Sequence, residues 1–143
     1  MRINIKMKDC QFVVNKGKRK VVCIIRNTSR MFYDFLNEEQ KNFYVLGQDF
    51  IDKLEMPNQF IGIATCSSDD EWNEETGKLL AYQRAKYKFN VAFFKRANIF
   101  VNALDGIANR AQSRFNSYGE KVTANMTKCE KKLNTMFNKE EET

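Results

Sequence analysis

Two groups of side chains in this sequence have the means to hold an anion. In the first, Tyr82, Arg84, Lys86, Tyr87 and Lys88 interleave aromatic rings with cations. Such a mix can stack a base on a ring face and neutralise a phosphate beside it. The plain alternative places Tyr87 in a helix core and leaves the cations in water. The second group is Asn109, Arg110 and Arg114. Arg110 and Arg114 are four apart, hence on one face of a helix. Two guanidiniums on one face can grip a phosphate or pyrophosphate. They can equally pair with Glu120 or with acids of a neighbouring subunit. A third group, Asp69-Asp70-Glu71, could hold a divalent metal through oxygens. The same acids, with Glu74 and Glu75, also suit the positive end of a helix starting near Asn73 or Glu74, and that reading is preferred. Trp72 falls where a strand hands over to that helix and reads as a core or hinge residue.

What the chain lacks narrows the chemistry. It contains no histidine, which removes Ser-His-Asp and Cys-His catalysis and His-dependent metal centres. Neither a GxxxxGK(S/T) loop nor a GxGxxG turn occurs, so the usual glycine cradles for nucleotides are missing. Cys10, Cys23, Cys66 and Cys129 are scattered with no CxxC spacing. They read as buried free thiols in apolar surroundings. No catalytic residue, metal or cofactor is expected.

The elements that must position these groups divide the chain in two. The 143 residues suit one domain: a β-rich region over 1–68, a helical region over 73–137 and an acidic tail over 138–143. Ile3, Ile5 and Met7 alternate with polar residues. Gln11–Val14 and Lys20–Ile25 flank Asn15-Lys16-Gly17-Lys18, a hairpin signature. Met31–Phe35 could extend the sheet. Asn37 with Gln40 resembles a capping box, Asp49–Leu54 could form a helical turn or two, and Phe60–Ala64 reads as a strand in which Gly62 allows a close backbone approach. Beyond Asn73 the pattern is helical, with candidate breaks at Asp105-Gly106 and Tyr118-Gly119. Glu140, Glu141 and Glu142 form a fraying tail.

The helical half also carries an assembly signal. Leu80, Tyr87, Phe94, Val101, Ala108, Phe115, Val122, Cys129 and Met136 recur every seven residues. That repeat marks helices packing on partner helices. The expected fold class is therefore α+β: an N-terminal antiparallel β-sheet followed by long C-terminal α-helices that mediate homo-oligomerisation. The formal charge is +6. From Tyr82 to Lys132 there are eleven cations against three acids, a local excess of +8. Such a field favours an anionic partner. No apolar run is long enough for a transmembrane helix, and the N-terminus lacks a signal-peptide core. A cytoplasmic protein without membrane contact is expected.

The block Gly62-Ile63-Ala64-Thr65-Cys66-Ser67-Ser68-Asp69-Asp70-Glu71-Trp72-Asn73, followed by Gly77-Lys78-Leu79-Leu80-Ala81-Tyr82-Gln83-Arg84-Ala85-Lys86, resembles one found in small proteins of phages of low-GC bacteria. The shared pattern is G-(I/V)-A-x-C-x-x-D-(D/E)-x-aromatic, then G-x-x-(L/I)-A-x-x-(R/K)-A. It covers about 25 residues of 143. With a β-sheet ahead of two long helices, the layout resembles the Thoeris anti-defence sponges, which sequester cyclic ADP-ribose isomers at subunit interfaces. Some members also hold cyclic oligonucleotides. The resemblance implies a non-enzymatic phage sponge acting in the host cytoplasm on a small anionic cyclic nucleotide. Arg84, Arg110 and Arg114 would then neutralise phosphates, Tyr82 or Tyr87 would stack the adenine, and Asn109 would bond its edge, with Lys88 a further ligand-binding candidate. An anti-CRISPR-like inhibitor of a defence nuclease, or of its nucleic acid, is the alternative. An enzyme using the Asp69 cluster with a metal is a further one.

Overall fold

The computed structural model describes residues 4–40 and 46–141. Two compact units divide the chain, Met1–Val101 and Asn102–Thr143. The first holds every strand. β1 (Gln11–Asn15) and β2 (Lys20–Arg26) form the expected hairpin, with Phe12 opposite Cys23 and Asn15 opposite Lys20. Lys18 N–H donates to the Asn15 side chain at 3.0 Å, and Arg19 closes the turn with φ of 52°. β3 (Gln59–Thr65) pairs antiparallel with the other side of β2, giving the order β1-β2-β3.

Two readings of the first third change. Ile3 lies outside the described residues. Ile5 is buried, but the chain around it is not a strand; Met7–Asp9 make a 3-10 turn. Met31–Phe35 does not extend the sheet: it belongs to α1 (Thr28–Gln40). The physical reason is period. Phe32 and Leu36 are fully buried and Phe35 half-buried, while Tyr33 and Asp34 are exposed. That is a helical stripe, not an alternation. Asn27, at φ of 60°, turns the chain from β2 into α1, and buried Thr28 anchors it by donating to the Pro57 carbonyl at 2.5 Å. Asn37 lies inside α1 and not ahead of a helix start. The helical turn expected near Asp49 is α2 (Gln48–Asp52).

α3 runs unbroken from Glu74 to Glu141, 68 residues. Asn73 caps it, its side-chain oxygen accepting the Thr76 N–H at 3.1 Å. Neither Gly106 nor Gly119 ends it. A single glycine costs about 1 kcal/mol within a helix, which strong formers on both sides offset. One long helix therefore stands where two were expected, and the α+β class holds. Glu142 of the expected fraying tail lies outside the described residues.

The core of the first unit lies between one sheet face and α3. Val21, Cys23, Ile25 and Ala64 are buried on the sheet side and Ala81, Ala85 and Phe89 on the helix side. α1 packs in through aromatic rings: Phe32 and Phe35 lie 5.3 and 5.2 Å from Phe93 between ring centroids, and Phe60 of β3 lies 5.8 Å from Phe89. Edge-to-face arrangements of this kind add to area burial. The opposite sheet face is apolar and only partly covered among the described residues. Val13, Val22 and Ile63 form one cross-strand row on it, and Ile24 and Ile61 sit in the next. Val13 and Ile63 are 48% and 39% exposed.

Candidate functional site

The small residues of the Gly62–Lys86 block place β3 against α3. A Cβ on Gly62 would collide with the backbone at Ala81 and Ala85, and one on Gly77 would meet Val21 Cγ2 at 2.9 Å. With strand and helix backbones this close, long side chains on the flank of α3 reach past the strand edge. Arg84 Nη1 donates to the Ile63 carbonyl at 2.6 Å, and Lys88 Nζ donates to the Ile61 carbonyl at 2.9 Å. Two residues of strand advance about 6.6 Å and four of helix about 6.0 Å. Antiparallel passage of β3 and α3 thus sets both pairs in register. These cations cover the open edge of the sheet, which otherwise presents unpaired backbone groups.

Arg84, Tyr87 and Lys88 are brought together. With Ile63 and Gln83 they line an open recess of about 450 Å³. Tyr87 is 70% exposed, so its ring face is available to a ligand. Tyr82 is not: it is 7% exposed, and its hydroxyl donates to the Ile5 carbonyl at 2.5 Å. The assignment of Tyr82 as a stacking residue is therefore corrected. One helical step past the sheet edge turns its ring into the core, where it fixes the N-terminal segment. Lys86 lies over that ring at 5.5 Å and donates to the Asn4 side chain. Arg96 likewise serves structure, donating to the Glu55 carbonyl at 2.6 Å.

Asn109, Arg110 and Arg114 belong to the second unit and are all exposed on α3. Arg110 folds back along the helix, with Nη1 3.3 Å from where a Cβ on Gly106 would stand.

Arg19 is the residue that sequence reasoning missed. Its guanidinium donates to Cys66 Sγ at 3.2 Å, to the Ser67 carbonyl at 3.1 Å and to the Asp70 carbonyl. It thereby pins the acidic loop to the hairpin. The Cys66 N–H closes the same junction on the Arg19 carbonyl at 2.8 Å. Nothing in the local sequence signals this role, since the partners lie some 48 residues away. Beside it, Val21, Trp72, Asn73 and Gly77 help line a second cavity of about 290 Å³. Trp72 is half-buried there, in keeping with a junction residue. Asp69, Asp70 and Glu71 are exposed in front of α3. Among the described residues, no group of three or more Cys, Asp or Glu side chains is placed to hold a metal ion.

The thiols differ in setting. Cys23 is fully buried, and burial together with the neighbouring Cys10 thiol pushes it up to about 12. Cys10 is also raised, chiefly by burial. Of the four cysteines expected to be buried, Cys23 alone is; Cys10 and Cys66 are half-buried and Cys129 is exposed. Met126 and Leu133, on the same helix stripe, are exposed as well.

No protein-family model matches the chain, and no curated protein or solved structure matches it either. Among the described residues, no helix is long and apolar enough to cross a membrane.

Proposed function

We propose that this chain is a phage-type, non-enzymatic sponge that captures a cyclic adenine nucleotide immune signal by stoichiometric binding in the cytoplasm of the infected cell. The observation that carries the reading is the recess beside the β3 edge. There an exposed Tyr87 ring is flanked by Arg84 and Lys88 over a volume of about 450 Å³. That is the size of a small-molecule site. An aromatic face supplies stacking for a base, and the adjacent cations supply charge for a phosphate. One N–H of the Arg84 guanidinium is committed to Ile63, and the fork carries further donors for a ligand. Capture requires no bond to break, in keeping with a chain that has no histidine.

Calorimetric titration with cyclic ADP-ribose isomers tests this. Wild-type protein is expected to bind, and mass spectrometry of the released ligand should find it intact. Tyr87→Ala should weaken binding by about ten-fold, the worth of one base stack. Arg114→Ala should change it by less than about two-fold if the recess alone holds the ligand. Absence of binding by the wild type at high micromolar ligand rejects the sponge.

A second reading, an inhibitor that docks on a host defence protein, is favoured by the apolar residues on the partly exposed sheet face. A sheet face turned to water is ordinarily polar, yet Val13, Val22, Ile24, Ile61 and Ile63 share this one. Val13→Lys, on the strand away from the recess, would abolish such inhibition and leave nucleotide binding intact.

A further inference from the structure

The described part of the second unit, 102–141, is helix, and large apolar side chains on it are exposed. Phe115, Met126, Leu133 and Met136 are between 56% and 70% exposed. Val122, Met126, Cys129, Leu133 and Met136 step by 4, 3, 4 and 3 along one face. A helix of this length in water draws most of its stability from packing that face on something. A 3.5-residue repeat fits another helix with the same repeat, because only then does each side chain meet a hole at every turn. Such a hole is present: a groove of about 340 Å³ lined by Val122, Asn125, Met126, Cys129, Glu130 and Leu133.

We propose that this segment packs antiparallel against the same segment of a second copy of the chain, centred on Ala124. The stripe complements itself in that register. Phe115 faces Leu133 of the other copy, and Val122 faces Met126. Gly119, whose missing Cβ leaves open space on all sides, receives Cys129. At the flanks Tyr118 meets Lys132, a cation over a ring, and Asn116 meets Glu130, so no like charges oppose one another. A parallel pair would instead set Gly119 on Gly119 and Phe115 on Phe115, leaving one layer void and the next crowded. Arg110, Arg114, Lys121 and Lys128 fall off the seam and stay in solvent. The inference is independent of the nucleotide reading, since none of its contacts involves Arg84, Tyr87 or Lys88.

Disulfide trapping in the full chain tests it. Diamide takes up the two electrons and two protons released when two thiols join. Gly119→Cys should give a covalent dimer whose peptide map shows residue 119 joined to Cys129. Gly119→Cys combined with Cys129→Ser should not cross-link through these positions. Wild type should give no Cys129–Cys129 link. In sedimentation, wild type should be a dimer at micromolar concentration. Met126→Glu places a charge in the seam and should weaken dimerisation by at least about 100-fold. In a monomer the Met126 side chain is 58% exposed, so the variant should keep the cooperative unfolding of the first unit, while helical circular dichroism from the second unit falls with loss of its partner. A monomeric wild type, a 129–129 link, or a Met126→Glu protein that stays dimeric overturns the proposal.

Discussion

Gly62 on β3 lies against Ala85 on α3 so closely that a Cβ on the glycine would stand 3.0 Å from the alanine Cβ and would run into the helix backbone. Strand and helix meet here backbone to backbone. The small residues Gly62, Ala64, Gly77, Ala81 and Ala85 are thereby explained by packing.

Gly62→Ala should therefore be costly despite adding one methyl group. Overpacking of a tight contact typically costs about 1–3 kcal/mol, and here the obstacles are backbone atoms that cannot rotate away. The urea midpoint should fall with its slope unchanged. Gly77→Ala should cost less, because the atom it meets is the Val21 side chain. Equal midpoints for wild type and Gly62→Ala would show that β3 and α3 can separate freely.

The edge caps predict a different phenotype. Replacing Arg84 and Lys88 by Met keeps the apolar stems and removes the donors to Ile63 and Ile61. Both heads are solvent-accessible, so each should contribute only about 0.5–1 kcal/mol. The larger effect should be on association, because the β3 edge is then open to another strand. Light scattering on heating should rise well before any comparable change in melting temperature. A double variant that scatters no more than wild type would show that the caps do not guard the edge.

Cys23 sets an alkaline limit on stability. Its thiol is pushed up to about 12 from an ordinary value of 9.0, by burial first and by Cys10 second. Between those values the unfolded chain gives up the proton and the folded chain keeps it. The folded state then binds more protons, so stability falls as pH rises from 9.0 towards about 12 and is unaffected by this group below 9.0. Cys23→Ala should flatten that limb relative to wild type, read as urea midpoints from neutral pH upward. In native protein at neutral pH, Cys23 should resist alkylation until unfolding exposes it. Parallel alkaline limbs in the two proteins would show that other groups set the dependence.

Much of the framework was legible in the residues alone. The hairpin around Asn15–Lys18 carries local turn chemistry, and the start of α3 is written by Asn73 with acids behind it. Both are decided within a few residues, which is why sequence suffices. The seven-residue apolar repeat was legible for the same reason, since helical periodicity is local. Met31–Phe35 was misread because five aromatic-rich residues are compatible with either period. Only the aromatic cluster of Phe32, Phe35, Phe93 and Phe100 selects the helix.

The candidate site divides along the same line. Sequence determined which residues bear charge and rings: Tyr82, Arg84, Tyr87, Lys88, Asn109, Arg110 and Arg114. Tertiary structure alone decided which of them face solvent together. The angle at which α3 crosses β3 sends Tyr82 inward to Ile5, sets Arg84 and Lys88 over the strand edge and leaves Tyr87 exposed between them. That angle follows from how closely Gly62 lets two backbones approach, and Arg19 reaches the acidic loop only because the hairpin folds beside it. Contacts between residues 21 to 77 positions apart are set by packing of the whole unit, and no local pattern encodes them.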